Sequence, residues 1–242
     1  MPPRLYVDQA LIPGGLALPA NAARHVQVLR LQPGQALTLF DGRGGEWAAE
    51  IALMDRRNVE VLVLSHSPRE CENPVAVTLA LAMPANDRMD DLVEKATELG
   101  AVAVQPLVTE RSVLRLDGER GRRRQAHWQA IAVAACEQCG RNSVPTLLPV
   151  QAYAAWINGL PRPLPHEARR LLGWRDAAPW ADALTPAITA LTLLSGPEGG
   201  LTEGEEDLAR ANRFGVVSLG ARVLRADTAP LAALASIALR AT

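Results

Sequence analysis

Residues 193–228 read LLSGPEGGLTEGEEDLARANRFGVVSLGARVLRADT. The pattern predicts a buried strand at residues 191–194, a glycine-rich turn at residues 196–200 and a helix that opens at Thr202. Thr202 and Glu205 have the three-residue spacing of a capping box, in which each side chain accepts a hydrogen bond from the other residue's backbone N–H. Because glycine carries no Cβ, the backbone of such a turn can approach a ligand closely.

The charge around the turn indicates which kind of ligand it suits. A second strand at residues 216–219 and an irregular loop at residues 220–227 follow the helix. Neither a GxxxxGK[ST] motif nor a GxGxxG motif is present. Five carboxylates crowd the turn: Glu198, Glu203, Glu205, Glu206 and Asp207. They would repel a triphosphate and tolerate a cationic ligand, so the loop favours a sulfonium such as S-adenosylmethionine over ATP.

The two loops resemble a known family. GPEGGLT, followed by SLGARVLRADTA, resembles the cofactor-loop signatures of the SPOUT, or trefoil-knotted, RNA methyltransferases. More narrowly, the pair is similar to the RsmE-type enzymes, which make 3-methyluridine in small-subunit ribosomal RNA. The second loop of that family is typically SLGPRILRTETA, whereas this chain has Ala221, Ala226 and Asp227 at three of its positions. Because these departures lie on the cofactor loop, the resemblance identifies the loop itself better than the side chains that contact the cofactor.

The resemblance implies an S-adenosylmethionine site built from three segments. The cofactor-binding residues that it implies are Leu172, Gly173, Leu194, Gly196, Pro197, Gly199, Gly200, Leu219, Gly220, Val223 and Leu224. Trp174 is an alternative to Gly173 as the third wall of that pocket. Arg225 and Glu198 are the expected catalytic residues. A guanidinium at Arg225 would stabilise the uridine anion formed as N3 loses its proton. The alternative is that Arg225 pairs with Asp227 or Glu198 and only holds the loop.

Composition sets outer limits on the function. The chain has 242 residues, enough for one large domain or two modest ones, and 48% of them are hydrophobic. The formal net charge is −1, so any RNA surface must be a local patch. Of the 25 basic residues only Lys95 is a lysine. Arginine suits phosphate contacts, although genome composition explains such a bias equally well.

The amino-terminal sequence and the cysteines predict a cytoplasmic protein. MPPRLYVDQ contains no apolar segment of signal-peptide length, and no apolar run reaches the length of a membrane span. Three cysteines are too few for a disulfide framework. Cys136 and Cys139 form a lone C-x-x-C in a helical pattern, which favours a packed helix face over a metal site.

Residues 1–70 are predicted to form a small β-barrel domain. Strands are expected at residues 36–40, 46–54 and 59–64, after a helical piece at residues 21–31. The stretch ARHVQVLRLQPGQALTLFDGRGG is similar to the PUA-like amino-terminal domain of RsmE-type enzymes. The resemblance implies RNA contact, and within this stretch the expected RNA-binding residues are Arg24 and Arg30, with His25 between them. The alternative is that all three are solvated helix residues.

Residues 71–242 are predicted to form the methyltransferase domain, after a polar linker at residues 65–74. The alternation of strands and helices predicts an α/β fold with a parallel sheet covered on both faces. Further strands are expected at residues 75–83, 101–108, 144–150 and 169–172, and helices at residues 88–99, 121–138 and from Asp227 or Thr228 onward. In such sheets ligands sit at the carboxyl ends of the strands. The trefoil knot and a homodimer are implied by the resemblance alone.

Two other segments also resemble RsmE-type enzymes. In the stretch of residues 87–112, Asp90 and Asp91 are interpreted as solvated, and Glu94, Lys95 and Glu98 of EKATELG as structural. EQCGRNSVP, at residues 137–145, is similar to the family's EQSGR-x-x-VP pattern. Arg141 in that motif is expected to contact substrate, the alternative being compensation of a helix dipole. Arg111, Arg122 and Arg123 are expected RNA-binding residues, the alternative being a solvated face.

The sequence therefore predicts a methyltransferase that uses S-adenosylmethionine to methylate N3 of a specific uridine in 16S ribosomal RNA. Its expected partners are small-subunit RNA in the assembled subunit and a second copy of the chain, with no membrane and no metal. Two alternatives remain: another SPOUT-type RNA methyltransferase with a different target nucleotide, and a catalytically silent RNA-binding protein. A nucleotide-binding phosphotransferase is disfavoured by the acidic turn, which lacks a phosphate-binding lysine.

Overall fold

The computed structural model describes residues 2–56, 58–84, 88–116, 118–173 and 177–239. Its helices are α1 (Ala20–Val28), α2 (Arg88–Glu98), α3 (Gly118–Cys139), α4 (Tyr153–Asn158), α5 (Glu203–Ala211) and α6 (Thr228–Ala238), with a 3-10 turn at Trp180–Asp182. Its strands are β1 (Arg4–Tyr6), β2 (Gly14–Ala17), β3 (Ala36–Phe40), β4 (Glu46–Met54), β5 (Val59–Ser67), β6 (Ala76–Ala82), β7 (Ala101–Val108), β8 (Thr146–Leu147), β9 (Gln151–Ala152), β10 (Glu167–Leu172), β11 (Ala178–Pro179), β12 (Ala190–Ser195) and β13 (Gly215–Ser218).

The chain divides into two compact units. Unit 1 comprises the residues up to Glu72 together with Val133–Val144, and unit 2 comprises Asn73–Ala132 and the residues from Pro145 onward. Helix α3 therefore contributes its first part to unit 2 and its last part to unit 1, which no local signal in the sequence indicated. The assignment of an RNA-binding domain to residues 1–70 and a methyltransferase domain to residues 71–242 is a functional division, and it stays a prediction.

Unit 1 contains a five-stranded sheet in the order β1-β3-β4-β5-β2. Strand β1 runs parallel to β3, and the other pairs are antiparallel. In β5 the alternate residues Val59, Val61 and Val63 are buried, as expected for a strand with one face on a core. Strand β5 continues to Ser67 and pairs there with β4, so the prediction of a linker from residue 65 was wrong for its first three residues.

The EQCGRNSVP motif supplies internal contacts of unit 1. Glu137 accepts a hydrogen bond of 3.0 Å from the backbone N–H of Tyr6, and its second carboxylate oxygen lies 3.2 Å from Nδ1 of His25. Burial raises the pKa of the Glu137 carboxyl, while the Tyr6 N–H and His25 act in the opposite direction. Asn142 accepts a bond of 2.6 Å from Arg4. These residues hold the last part of α3 against the amino-terminal strand.

Unit 2 contains an eight-stranded sheet, of which seven strands follow the order β11-β13-β10-β12-β6-β7-β8 and β9 pairs with β7. Every pair in this sheet is parallel. Apolar runs such as TLALA in β6 suit it, because strands covered on both faces need no polar alternation. The predicted α/β fold with a parallel sheet is confirmed. The trefoil knot stays a prediction, because strand order alone does not show whether the chain passes through a loop.

The strand order brings three carboxyl ends together. Leu171 of β10 pairs with Leu194 of β12 on one side and with Val216 of β13 on the other. Because parallel strands end at the same edge, the segments after β10, β12 and β13 begin next to one another. These are the segments that the sequence assigned to the cofactor.

Short elements were the main errors of the sequence prediction. The strand expected at residues 144–150 is reduced to the two residues of β8, and β2, β9, β11 and α4 were not predicted. Elements of two to six residues carry too few periodic positions to stand out from a loop.

Asp90 is not the solvated residue that the sequence indicated. One carboxylate oxygen accepts a hydrogen bond of 2.9 Å from the indole N–H of Trp128, and the other lies 2.7 Å from Nε2 of His127. The Trp128 side chain is buried, so its N–H depends on this acceptor. Asp90 thus ties α2 to α3 within unit 2.

We therefore expect Asp90→Ala to lower the free energy of unfolding by about 1–3 kcal/mol, because it leaves a buried donor unsatisfied. Asp91→Ala is the matched control, since Asp91 is also in the first turn of α2 but is exposed. Both variants lose the same favourable charge at the helix start. Urea denaturation of the two variants measures the difference; equal stabilities would contradict a bracing role for Asp90.

Candidate functional site

The glycine turn after β12 is closed by its own backbone. The N–H of Gly200 donates to the carbonyl of Pro197 at 2.8 Å, and Gly200 has a φ of +70°, which favours glycine. A Cβ built on Gly196 would lie 3.2 Å from the backbone nitrogen of Leu201. The turn is therefore tight at Gly196 and left-handed at Gly200, and larger residues at either position would shift it.

The predicted capping box at the start of α5 is confirmed. Glu205 N–H donates to Oγ1 of Thr202 at 3.3 Å, and Thr202 N–H donates to Oε2 of Glu205 at 2.9 Å. The other oxygen of Glu205 accepts the backbone N–H of Glu110, also at 2.9 Å. One carboxylate therefore joins the start of α5, directly after the glycine turn, to the loop that follows β7.

The second loop follows β13. Ser218 braces its start, because the hydroxyl bonds both the N–H of Gly220 at 3.2 Å and the carbonyl of Gly220 at 3.1 Å. Gly220 has a φ of +117°, again a conformation that favours glycine. The Arg225 carbonyl then accepts two N–H groups from the first turn of α6. Between these fixed ends Val223 is 72% exposed, a large apolar side chain open to a ligand.

The third segment begins at Gly173. Its N–H donates to the carbonyl of Val217 at 2.9 Å, and a Cβ there would lie 2.7 Å from the Val216 side chain. Leu172 is half-buried, whereas Leu194 is fully buried in the core. Trp174 lies outside the described residues. The predicted cofactor residues thus follow three adjacent strand ends; their contact with a cofactor stays a prediction.

Arg88 links the two loops, and the sequence gave it no role. Its Nη1 lies 3.7 Å from Oε1 of Glu198 and 3.8 Å from Oδ2 of Asp227. The pairing of Glu198 or Asp227 with Arg225, weighed as an alternative, is made by Arg88 instead. Within the described parts of the chain, the exposed guanidinium of Arg225 has no hydrogen bond or ion pair. The only sequence signal for Arg88 was its position at the start of a helix that follows β6.

The acidic residues around the turn are more compensated than the sequence suggested. Glu206 and Asp207 each pair with Arg210 at 3.1 Å on the surface of α5. Glu205 is engaged by two backbone N–H groups. Glu198 lies within 3.7 Å of the Arg88 guanidinium. The carboxylates near the turn therefore favour a cationic ligand less strongly than the sequence indicated.

An open groove of about 430 Å³ lies beside these loops, between α2 and α6. Its lining is Arg88, Asp91, Leu92, Lys95, Leu99, Asp227, Thr228, Leu231, Ala232 and Ala235. Lys95 bridges Glu94 at 2.6 Å and Glu98 at 2.8 Å, and these contacts raise its pKa above the ordinary value. No residue of the glycine turn lines the groove, so we do not assign the cofactor to it.

The predicted RNA-binding arginines of unit 2 have different environments. Arg122 is exposed, and Arg123 is exposed but pairs with Glu119 at 2.7 Å. Arg111 donates to the carbonyls of Gly199 and Leu201, at 2.8 and 3.3 Å. Arg111 is therefore an internal contact of the glycine turn.

The predicted RNA-binding arginines of unit 1 also divide into two kinds. Arg24 and Arg30 are exposed. The side chain of Arg141 is only 3% exposed and forms a two-pronged contact with the carboxylate of Glu72. This geometry favours a structural role for Arg141. The sequence suggested substrate contact or compensation of a helix dipole, and it did not indicate an ion pair with Glu72.

The described ranges offer neither a metal site nor a membrane-spanning helix. They contain no group of three or more His, Cys, Asp or Glu residues that could hold a metal ion. All three cysteines are free thiols, and burial raises the pKa of Cys136 to about 12. A thiol so hard to ionise suits a packed helix face. No helix in the same ranges is long and apolar enough to cross a membrane.

Comparisons with known proteins agree with this arrangement. A family model described as an RNA methyltransferase domain matches residues 71–238, and one described as an RNA methyltransferase PUA domain matches residues 18–64. The chain is 36% identical to the ribosomal RNA small subunit methyltransferase E of Synechocystis, over 87% of this chain and 68% of that protein. It is 31% identical to the protein of the same name from Bacillus subtilis, over 88% and 84%.

Two solved structures show the same fold. The ribosomal RNA small subunit methyltransferase E of Neisseria gonorrhoeae, bound to S-adenosyl methionine, superposes with a TM-score of 0.90 at 38% identity, covering 98% of this chain and 97% of that one. A protein from Legionella pneumophila, solved with its bound cofactor SAM, gives a TM-score of 0.91 at 32% identity, covering 99% and 98%. Both likenesses extend over nearly the whole chain.

The glycine turn gives the first test of the site. A valine at Gly196 would press on the backbone of Leu201, so we expect Gly196→Val to weaken S-adenosylmethionine binding by ~10-fold or more, which corresponds to about 1.4 kcal/mol. Gly204→Val is the control, because a Cβ at Gly204 meets nothing within 4 Å. Titration calorimetry on both variants, after thermal melts that establish folding, makes the comparison. Unchanged affinity in folded Gly196→Val would remove the turn from the site.

Proposed function

We propose, since this chain belongs to the family of ribosomal RNA small subunit methyltransferase E enzymes, that it methylates N3 of a uridine in small-subunit ribosomal RNA. The methyl donor is S-adenosylmethionine. The observation that carries the proposal is the junction of three loops at the ends of β10, β12 and β13, in a fold shared with proteins solved with that cofactor bound.

The cofactor would lie against the predicted segments. Backbone groups of the glycine turn and of the loop after β13 are suited to hold its adenosine and amino-acid parts, since glycine lets a ligand approach. The exposed side chain of Val223 offers apolar contact. S-adenosylmethionine bound there would supply an electrophilic methyl group on a cationic sulfur.

The chemistry of the target sets what the chain must do. Uridine N3 carries a proton at neutral pH and is hidden in a base pair, so the base must be unpaired or flipped out. As the N3 proton leaves, the N3 electron pair forms the bond to the methyl carbon and the carbon–sulfur bond breaks. Arg225 would stabilise the developing anion with its uncompensated charge. Glu198, an exposed carboxylate on the turn, is the second proposed catalytic residue and could accept a proton.

RNA would be held by arginines of both units. Arg24 and Arg30 in unit 1, and Arg122 and Arg123 in unit 2, are exposed and can reach phosphates. We further propose that residues 1–70 act as the RNA-binding domain and residues 71–242 as the methyltransferase domain. The assembled small subunit in the cytoplasm is the proposed setting of the reaction.

The proposed function is tested by incubating the protein with labelled S-adenosylmethionine and either naked small-subunit RNA or assembled small subunits. Label at N3 of a single uridine, found by nuclease digestion and mass spectrometry, is the expected result. Label on another base or atom would favour a different target nucleotide. Binding of RNA without any binding of S-adenosylmethionine would favour the silent RNA-binding protein.

We also propose a homodimer, with the groove between α2 and α6 as part of its interface. The support is the apolar part of the groove, in which Leu99, Leu231 and Ala235 are half-buried and Ala232 is exposed. Sedimentation equilibrium at micromolar concentration should give twice the mass of the chain. A fully active monomer would contradict this proposal.

Arg225→Lys separates the two roles of that residue. Lysine keeps the charge but loses the planar fork of donors. We expect the methyl-transfer rate to fall by ~10²-fold, by analogy with the loss of an oxyanion donor, while cofactor affinity stays nearly constant. Single-turnover kinetics and titration calorimetry measure the two quantities. Weaker cofactor binding with an unchanged rate would show instead that Arg225 holds the loop.

Arg30 gives a test of the RNA surface. It has a φ of +56° at the end of α1, where the bonds from Arg30 N–H to Gln27 and from Leu31 N–H to Val26 are those of a Schellman motif. Since glycine suits that conformation, Arg30→Gly should raise the free energy of unfolding by up to ~1 kcal/mol and yet weaken RNA binding.

Arg213→Gly is the matched control. Arg213 has a φ of +68° after α5, with the same two backbone bonds, and it is not proposed to contact RNA. We expect the control to gain similar stability with no change in RNA affinity. Thermal denaturation and filter retention of labelled small-subunit RNA provide the measurements. Equal RNA affinities for the wild type and Arg30→Gly would remove Arg30 from the RNA surface.

A further inference from the structure

The loop after β7 forms a closed turn beside the glycine turn. Thr109 N–H donates to the hydroxyl of Ser112 at 3.0 Å, and the two hydroxyl oxygens lie 2.8 Å apart. Ser112 N–H donates back to the carbonyl of Thr109 at 3.2 Å. Both residues are buried, at 3% and 5% exposure. The two residues between them, Glu110 and Arg111, are therefore held at a fixed tip.

Arg111 contacts the glycine turn, and Glu110 contacts the first turn of α5 beside it. The backbone N–H of Glu110 bonds Glu205, and Nη1 of Arg111 bonds the carbonyls of Gly199 and Leu201. The aliphatic stem of Arg111 covers Gly199, where a built Cβ would lie 3.5 Å from Cβ and Cδ of the arginine. The stem therefore packs on the turn, while the guanidinium donates hydrogen bonds to the carbonyls of Gly199 and Leu201.

These contacts limit the freedom of the turn. Adjacent glycines lose more backbone entropy on ordering than any other pair of residues, so an unbraced turn would have to be ordered by the ligand at the expense of affinity. With the carbonyls of Gly199 and Leu201 anchored to Arg111, the peptide units between them have a fixed direction. A turn ordered before binding loses less entropy when the ligand arrives.

We propose that Arg111 is a positioning residue that preorganises the glycine turn for the cofactor, rather than a contact for RNA. This inference rests on the proposed use of the turn for S-adenosylmethionine. It replaces the expectation from the sequence that Arg111 binds RNA. A guanidinium already bonded to two backbone carbonyls has less capacity to bind phosphate.

The test compares Arg111→Met with Arg122→Met. Methionine keeps an unbranched apolar stem and removes the donors. For Arg111→Met we expect at least a tenfold rise in the KM and the Kd for S-adenosylmethionine, with kcat at saturating cofactor and the Kd for naked small-subunit RNA nearly unchanged. For Arg122→Met we expect the reverse, with weaker RNA binding and normal cofactor affinity.

Arg111→Lys is the rescue variant, because a lysine ammonium also has donors for both carbonyls. Its affinity for the cofactor should lie between those of the wild type and Arg111→Met, and amide exchange at residues 199–201 should rank the three proteins in the same order. Weaker RNA binding with normal cofactor affinity in Arg111→Met would overturn the inference, and so would no change in either. If Arg111→Met does not fold, the affinities of Arg111→Lys for S-adenosylmethionine and for RNA provide the test instead. Failure of the wild type to bind S-adenosylmethionine would count against the proposed function itself.

Discussion

The candidate site depends most on the hydrogen bonds that the Glu205 carboxylate accepts. Its two oxygens accept the N–H of Thr202 and the N–H of Glu110, so it begins α5 and fastens that helix to the loop after β7. The backbone carbonyl of the same residue accepts the hydroxyl of Tyr153 at 2.7 Å, and burial raises the pKa of that hydroxyl. Three elements that are distant in sequence therefore meet at one residue.

A shared apolar core lies beneath that junction. Leu201, just before α5, and Ala209, within it, pack in one cluster with Leu194 of β12, Leu107 of β7 and the ring of Phe214. Burying such side chains stabilises the fold by roughly 25 cal/mol for each Å² of apolar surface removed from water. The glycine turn can thus be ordered although its glycines have no side chains to pack, because the residues on both sides of it are fixed by the core and by hydrogen bonds.

The parts of the fold that local sequence encodes were predicted well. Strands β3, β4 and β7 begin and end at the predicted residues, and Gly100 ends α2 with a φ of +88°. Apolar runs, alternation and capping residues act over a few positions, so they are visible in one sequence. The glycine turn and the loop after β13 were located on the same basis, supported by their resemblance to a family.

The tertiary partners of charged residues could not be predicted. Arg88, Arg111 and Asp90 each bond atoms that are distant in sequence, and their local patterns are those of solvated residues. The same holds for Arg141, whose buried pairing with Glu72 spans two segments of unit 1. Side-chain spacing along a helix does not reveal contacts to a distant loop. The sequence alone therefore does not show which arginines form ion pairs or hydrogen bonds in the folded chain.

The loops after β10, β12 and β13 are proposed to form one cofactor site. Amide hydrogen exchange with and without S-adenosylhomocysteine, followed by mass spectrometry, tests it most directly because it needs no RNA and no substitution. We expect the product to slow exchange in peptides containing residues 196–201 and 219–225 and to leave exchange in β3 to β5 of unit 1 unchanged. Slower exchange confined to unit 1 or to the groove between α2 and α6, with both loops unaffected, would contradict it.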